Sequence, residues 1–160
     1  MKVQAVMTRD VRVVKEKGSL ADAGCIMADF DCGVLPVMND QGRLVGILTD
    51  RDICLSVAKK NQLPSRIPVG QAMSSNVVSC GPDDDIQVAL RTMRSQQVRR
   101  LPVLGNDGAL VGILSMDDVV VNASATARAA SPPEVTQGEA VSTLKAIYGS
   151  RRARHPIVVP

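Results

Sequence analysis

Two seven-residue phrases in this chain combine a glycine, a hydroxyl and an acid at a fixed spacing. They are Gly46-Ile47-Leu48-Thr49-Asp50-Arg51-Asp52 and Gly112-Ile113-Leu114-Ser115-Met116-Asp117-Asp118. Each reads as the end of a strand running into the start of a helix. The free N–H groups and positive pole of a helix start attract phosphate. A cap hydroxyl (Thr49, Ser115) can bond a phosphate or sugar oxygen. The carboxylate three residues on (Asp52, Asp118) can accept from both hydroxyls of a ribose, as the acid of dinucleotide-binding folds does. The same Ser/Thr-x-x-Asp spacing is also a capping box, which stabilises a helix and need bind nothing. The two readings are compatible, because a cap residue can exchange its backbone partner for a ligand oxygen.

A second constellation is Val98-Arg99-Arg100-Leu101-Pro102. Adjacent residues of a strand point to opposite faces, so one arginine can reach a cleft while the other meets solvent. The planar guanidinium suits phosphate because it bonds two oxygens at once. The alternative is a charged strand edge that deters aggregation. The matching residues in the first half are Gly33-Val34; there Arg51 takes over the cationic role, at the position Asp117 holds in the second half.

Other chemistries have little to work with. The four cysteines (Cys25, Cys32, Cys54, Cys80) form no C-x-x-C pair and the single histidine is His155, so no metal site is expected. No nucleophile and base are placed by spacing, and no catalytic residue is assigned. Asp83-Asp84-Asp85 and Asp117-Asp118 could hold Mg²⁺ beside a nucleotide, which keeps an enzyme as the weakest alternative. One Phe and one Tyr cannot supply the stacking platforms of single-stranded nucleic-acid binders, so a bound base must lie between aliphatic side chains. A net charge of +3 suits a bound phosphate and does not indicate a nucleic-acid protein. The basic cluster Arg151-Arg152-Ala153-Arg154-His155 reads as a solvated tail. No apolar run reaches membrane-span length and the opening residues carry no signal-peptide core, so the expected compartment is the cytoplasm.

The elements that must position these residues occur twice. Residues 3–53 recur 66 positions later without a gap, and 15 of the 51 aligned pairs are identical; composition alone would give about 3. Each copy opens with a lead-in (Lys2–Met7, Val69–Met73), a turn, and a short β-rich run (Val11–Val14, Val77–Cys80). A helix follows, started by Ser19 and Asp22 in one copy and by Pro82-Asp83-Asp84-Asp85 in the other. Next come hairpins over Val34–Leu48 and Val98–Leu114, with Gly42 and Gly108 in their turns. A second helix begins after Thr49 and Ser115. The predicted class is α+β, with β-α-β-β-α order in each copy. The expected boundaries are 1–60 for the first copy, 61–68 for a linker and 69–121 for the second copy. Residues 122–160 read as a flexible connector over Asn122–Pro133, a helix over Gly138–Tyr148 and a tail. A unit of some 50 residues buries little surface alone, so the copies are expected to share a core.

These motifs resemble the cystathionine-β-synthase (CBS) domain family in its tandem form, the Bateman module. The resemblance rests on Val6-Met7-Thr8-Arg9-Asp10-Val11, on Leu35-Pro36-Val37 and Leu101-Pro102-Val103, and on the two Gly-to-Asp phrases. It covers residues 1–120 and implies two repeats related by a pseudo-two-fold axis, with sheets packed together and two ligand clefts. It further implies adenosine-derived ligands: AMP, ADP, ATP or S-adenosylmethionine. By the family pattern Thr49, Asp52, Ser115 and Asp118 contact ribose or phosphate. Residues around Thr8, Asp10 and Val11, and around Asn76 and Val77, line the base with Val34-Leu35-Pro36 and Arg100-Leu101-Pro102. Arg51 and Arg99 complete the candidate set. Such modules commonly dimerise into a disc and regulate an attached enzyme or channel. With no such attachment in these residues, the resemblance points to an energy- or ligand-sensing module that acts in trans on another protein. The alternative is an interaction module with vestigial sites.

Overall fold

The computed structural model describes residues 1–124 and 135–154, the last five without their side chains. The connector expected beyond residue 124 and the side chains of the basic cluster Arg151–His155 lie outside the described residues. In chain order the elements are β1 (Val14–Lys15), α1 (Leu20–Asp29), β2 (Val34–Met38), β3 (Leu44–Thr49), α2 (Asp50–Lys60), α3 (Ile86–Gln96), β4 (Arg100–Leu104), β5 (Leu110–Ser115), α4 (Met116–Val121) and α5 (Gln137–Arg154). Strands order β1-β2-β3 in one sheet and β4-β5 in the other. The α+β class and the tandem repeat stand as read from the residues.

Local chemistry explains most boundaries. Ser19 and Asp22 form a reciprocal capping box at α1, and the Asp85 side chain accepts from the Gln87 N–H at the start of α3. Asn61 ends α2 in the left-handed conformation at φ 49°. Gly42 and Gly108 turn the hairpins at φ 72° and 80°, a region other residues enter only with strain. Pro36 lies inside β2, where a missing N–H would normally break a ladder. It is tolerated because β1 pairs only with Val37 and Met38, leaving no donor required at Pro36 on that side.

The β-rich runs are shorter than expected. Of Val11–Val14 only the last residue joins β1, and Val77–Cys80 contributes one parallel bridge, Cys80 to Val103. Residues 11–13 stay half-buried or exposed, so little apolar burial rewards extending the strand. The 61–68 stretch is more than a linker: Pro64–Arg66 forms a 3-10 turn, Ile67 is fully buried, and its carbonyl accepts the Leu20 N–H at 2.9 Å.

The chain forms two compact units whose boundaries cross those of the repeats. One contains Asp10–Val77 with Asp107–Leu110; the other contains Met1–Arg9, Val78–Asn106 and the described residues from Val111 onward. The first nine residues therefore fold with the second repeat, not with their own. Burial supplies the reason. Val3 and Met7 sit in the core with Ile86, Leu90, Leu101 and Leu114, whereas Val69 is buried, and Met73 packed, against Leu20, Leu35, Val37 and Leu48. Each lead-in brings apolar side chains that complete a core too small to close alone.

The expected tail helix exists as α5 and packs on α3 and α4. Thr136 caps it, with the Glu139 carboxylate accepting both the Thr136 N–H and its hydroxyl at 2.9 Å. Val135, Ala140 and Ile147 enter the same core as Leu90, Met116 and Val119. Among the described residues, no helix is long and apolar enough to cross a membrane.

Candidate functional site

Both Gly-to-Asp phrases form the predicted strand-to-helix junction. At the first, the Thr49 hydroxyl donates to Asp52 Oδ2 at 2.6 Å and the Thr49 N–H donates to the same oxygen at 2.9 Å. The Asp52 N–H returns a bond to Thr49 Oγ1 at 3.2 Å. At the second, Ser115 and Asp118 repeat this pattern at 2.6, 2.7 and 3.1 Å. These are complete capping boxes, and they fix the orientation of each acid at the third position of its helix.

The glycine that opens each phrase has a steric cause. A Cβ at Gly112 would lie 2.8 Å from Met7 Sδ and 2.9 Å from the Thr8 carbonyl oxygen. A Cβ at Gly46 would strike Met73 and come within 3.1 Å of the Ser74 carbonyl oxygen. The lead-in backbone lies directly on the strand there. Thr8 and Ile113 exchange two backbone hydrogen bonds at 2.9 and 3.0 Å, and so do Ser74 and Ile47. The methionine and the glycine, in motifs far apart in sequence, form one contact in each unit. That coupling is missing from the reading of the sequence, although both residues recur at the 66-residue offset and could have suggested it.

The second oxygen of each acid separates the two sites. Asp118 Oδ1 accepts the Thr8 hydroxyl at 3.1 Å. Asp52 Oδ1 has no hydrogen-bond partner among the described residues, and Ser74, the counterpart of Thr8, leaves it open. The cations differ likewise. Arg100 Nη2 lies 3.8 Å from Asp117 Oδ2. Arg99 Nη1 reaches Tyr148 of α5 at 3.4 Å, so this arginine faces the tail helix. Arg51 is exposed at the second position of α2 and its guanidinium has no partner among the described residues. An arginine there sets a positive charge beside the positive helix pole, an arrangement suited to an anion.

The other candidates fall into two groups. Leu35 and Leu101 are completely enclosed in the two cores, and Pro36 and Pro102 are buried with them. Val11, Val34 and Val77 are half-buried; Asn76 is exposed; Asp10 is exposed and paired with Arg12 at 3.0 Å. The Ile47–Ser74 bridge brings the segment leading to Asn76 and Val77 beside the Thr49 junction, and the Thr8–Ile113 bridge brings Thr8 beside the Ser115 junction. Among the described residues no group of three or more His, Cys, Asp or Glu gathers as a metal centre. Burial, and then the Asp84 carboxylate, push the Cys80 thiol up to about 11, which makes it a poor nucleophile.

The sequence pattern of the CBS domain matches this chain twice, at residues 3–59 and 69–124. The chain belongs to the CBS domain family. The CBS domain-containing protein YhcV of Bacillus subtilis is 35% identical over 120 residues, covering 75% of this chain and 84% of YhcV. A conserved CBS domain protein of Thermoplasma acidophilum superposes with a TM-score of 0.75 at 22% identity, covering 91% of this chain and 75% of that one. A CBS domain pair solved with 5′-methylthioadenosine and S-adenosyl-L-methionine gives 0.68 at 21% identity, covering 76% and 94%. These two likenesses establish the fold.

Proposed function

We propose that this chain is a ligand-binding regulatory module that takes an adenosyl compound, namely AMP, ADP, ATP or S-adenosylmethionine, and acts on a separate protein. The observation that carries the reading is the Thr49–Asp52 junction. Its acid is oriented by a complete cap, yet one carboxylate oxygen and the neighbouring Arg51 guanidinium at the helix start have no partner among the described residues. The open oxygen suits a ribose hydroxyl, and Arg51 with the helix pole suits a phosphate or a carboxylate of the ligand. Support also comes from the CBS domain pair that was solved with two adenosyl compounds. The Ser115–Asp118 site is the weaker of the two, because Thr8, Asp117 and Tyr148 already engage its polar groups.

Regulation requires only that the ligand prefer one arrangement of the chain or its partner. The test is isothermal titration with AMP, ATP and S-adenosylmethionine against the wild type, Asp52→Asn and Asp118→Asn. The amide can still accept the capping bonds, so folding is kept while the ribose acceptor is weakened. At least one ligand should bind, and Asp52→Asn should lower its affinity about tenfold or more, as a lost charge-assisted hydrogen bond does. An unchanged affinity in both variants removes the ribose assignment.

The competing reading is an interaction module with vestigial sites. It is favoured by the completeness of the caps: among the described residues no buried side-chain nitrogen or oxygen lacks a partner. That reading prevails if none of the three compounds binds.

A further inference from the structure

Asp52, the acid read above as a ribose acceptor, stands at one end of a groove along α2. A cavity of about 250 Å³ is lined by Asp52, Leu55, Ser56, Lys59 and Lys60 of this helix and by Gln71 from the lead-in of the second repeat. All of them belong to the unit Asp10–Val77. Positions 52, 55, 56, 59 and 60 share one stripe of a helix, so their spacing alone makes these side chains neighbours. The polar groups are sorted along that stripe: the acid at its start, the Ser56 hydroxyl midway, two ammonium groups at its end. Lys60 Nζ donates to Gln71 Oε1 at 2.8 Å, a neutral acceptor that leaves the lysine charge unbalanced. Lys59 and the Ser56 hydroxyl have no side-chain partner among the described residues. Lysines in a last turn also offset the negative pole of their helix, but that role calls for neither the hydroxyl nor the cavity. At the 66-residue offset the sequence has Asn122, Ala125, Thr126 and Ala5 in place of Ser56, Lys59, Lys60 and Gln71. The cationic groove is therefore encoded in the first repeat alone.

We propose that this groove is a polyphosphate subsite, and that Lys59 and Lys60 make the first site select a nucleoside di- or triphosphate over the monophosphate. The inference rests on the reading of Asp52 as the ribose acceptor and narrows the ligand class left open there. Charge sets the direction. The carboxylate repels phosphate and accepts from sugar hydroxyls, whereas paired ammonium groups beside a hydroxyl suit a chain carrying several negative charges. Length sets the class. Asp52 and Lys60 are eight residues apart, about 12 Å along the helix axis. A single phosphate sits next to its own ribose and stays at the acid end of that span. A second and a third phosphoryl group carry negative charge down the groove to where the lysine side chains reach back. Helical side chains lean towards the start of their helix, which shortens the gap from the lysine side. The cavity is too small for a whole nucleotide, which fits a subsite that takes the phosphate chain while the nucleoside lies beyond it.

The test is isothermal titration of the full chain with ATP, ADP and AMP, in the wild type and in the double variant Lys59→Gln with Lys60→Gln. Both lysines are exposed and glutamine is a comparable helix former, so the variant folds, checked by unchanged circular dichroism. The wild type should bind ATP about tenfold or more tightly than AMP, and the double variant should lose most of that advantage while AMP affinity holds. A second double variant, Lys15→Gln with Arg43→Gln, removes the same charge from exposed positions outside the groove and should leave the ATP advantage intact. Asp52→Asn should weaken ATP and AMP alike. Equal affinity for ATP and AMP in the wild type overturns the proposal. So does an ATP advantage that survives loss of both lysines, or one that falls equally in the Lys15 and Arg43 variant. In those three cases an effect of Asp52→Asn leaves the ribose reading standing; if no nucleotide binds, both fall together.

Discussion

The second repeat is the more enclosed half of this molecule, and the first is the more available. Between matching positions, Leu90 replaces Gly24, Met116 replaces Asp50 and Val119 replaces Ile53. The second repeat thereby gains an apolar helical face that water would penalise, and α5 covers it. The contrast continues at the sites, where Asp118 has both oxygens engaged and Asp52 has one. The two repeats share one scaffold, and the residues that differ at a few surface positions coincide with the face that α5 covers in the second repeat.

The contrast is sharpest under deletion of side-chain volume. Leu90→Ala should cost about 3 kcal/mol in urea unfolding, because a fully buried leucine leaves a cavity under α5. Gly24→Ala at the matching position should instead gain up to about 1 kcal/mol, since alanine is the better helix former and nothing is displaced. Equal effects at the two positions would mean that α5 contributes nothing to the second repeat.

The two candidate ligand sites can be drawn together by removing one hydroxyl. Thr8→Ala frees Asp118 Oδ1 without touching the cap. It should strengthen binding at the second site by about threefold, the scale of one modest hydrogen bond exchanged. Ser74→Ala should leave the first site unchanged. Weaker binding in Thr8→Ala would show that this hydroxyl holds the ligand rather than blocking the acid.

The smallest effect is a pH response confined to the second unit. The Thr136 backbone N–H foremost, with the Thr136 hydroxyl, Gln87 and Arg94 adding, holds the Glu139 carboxyl below its ordinary value of 4.5. A carboxyl lowered on folding stabilises the folded form fully above its unfolded value and loses that contribution as the pH falls through the lower folded value. The cap of α5 should therefore loosen only in acid below 4.5. Tyr148 is the one tyrosine in a chain without tryptophan, so its emission reports on α5 alone. Its acid transition should vanish in Glu139→Gln.

Much of this was open to reading in the linear chain. Ser19, Thr49, Ser115 and Asp85 cap helices through neighbours a few residues away, and Gly42 and Gly108 turn hairpins through their own φ. Such effects are local, so residue type and spacing suffice to announce them. The 66-residue recurrence announced the doubled scaffold in the same way. Pairings that close loops of dozens of residues were decided only on folding. Nothing near Met7 says that it will rest on Gly112, near Thr8 that it will bond Asp118, or near Tyr148 that it will meet Arg99. Val3 suits either core by its chemistry, and the exchange of lead-in segments is fixed by which apolar surface remains uncovered once the hairpins and helices are in place. Burial depends on every element at once, and that is why it escapes a reading made one stretch at a time.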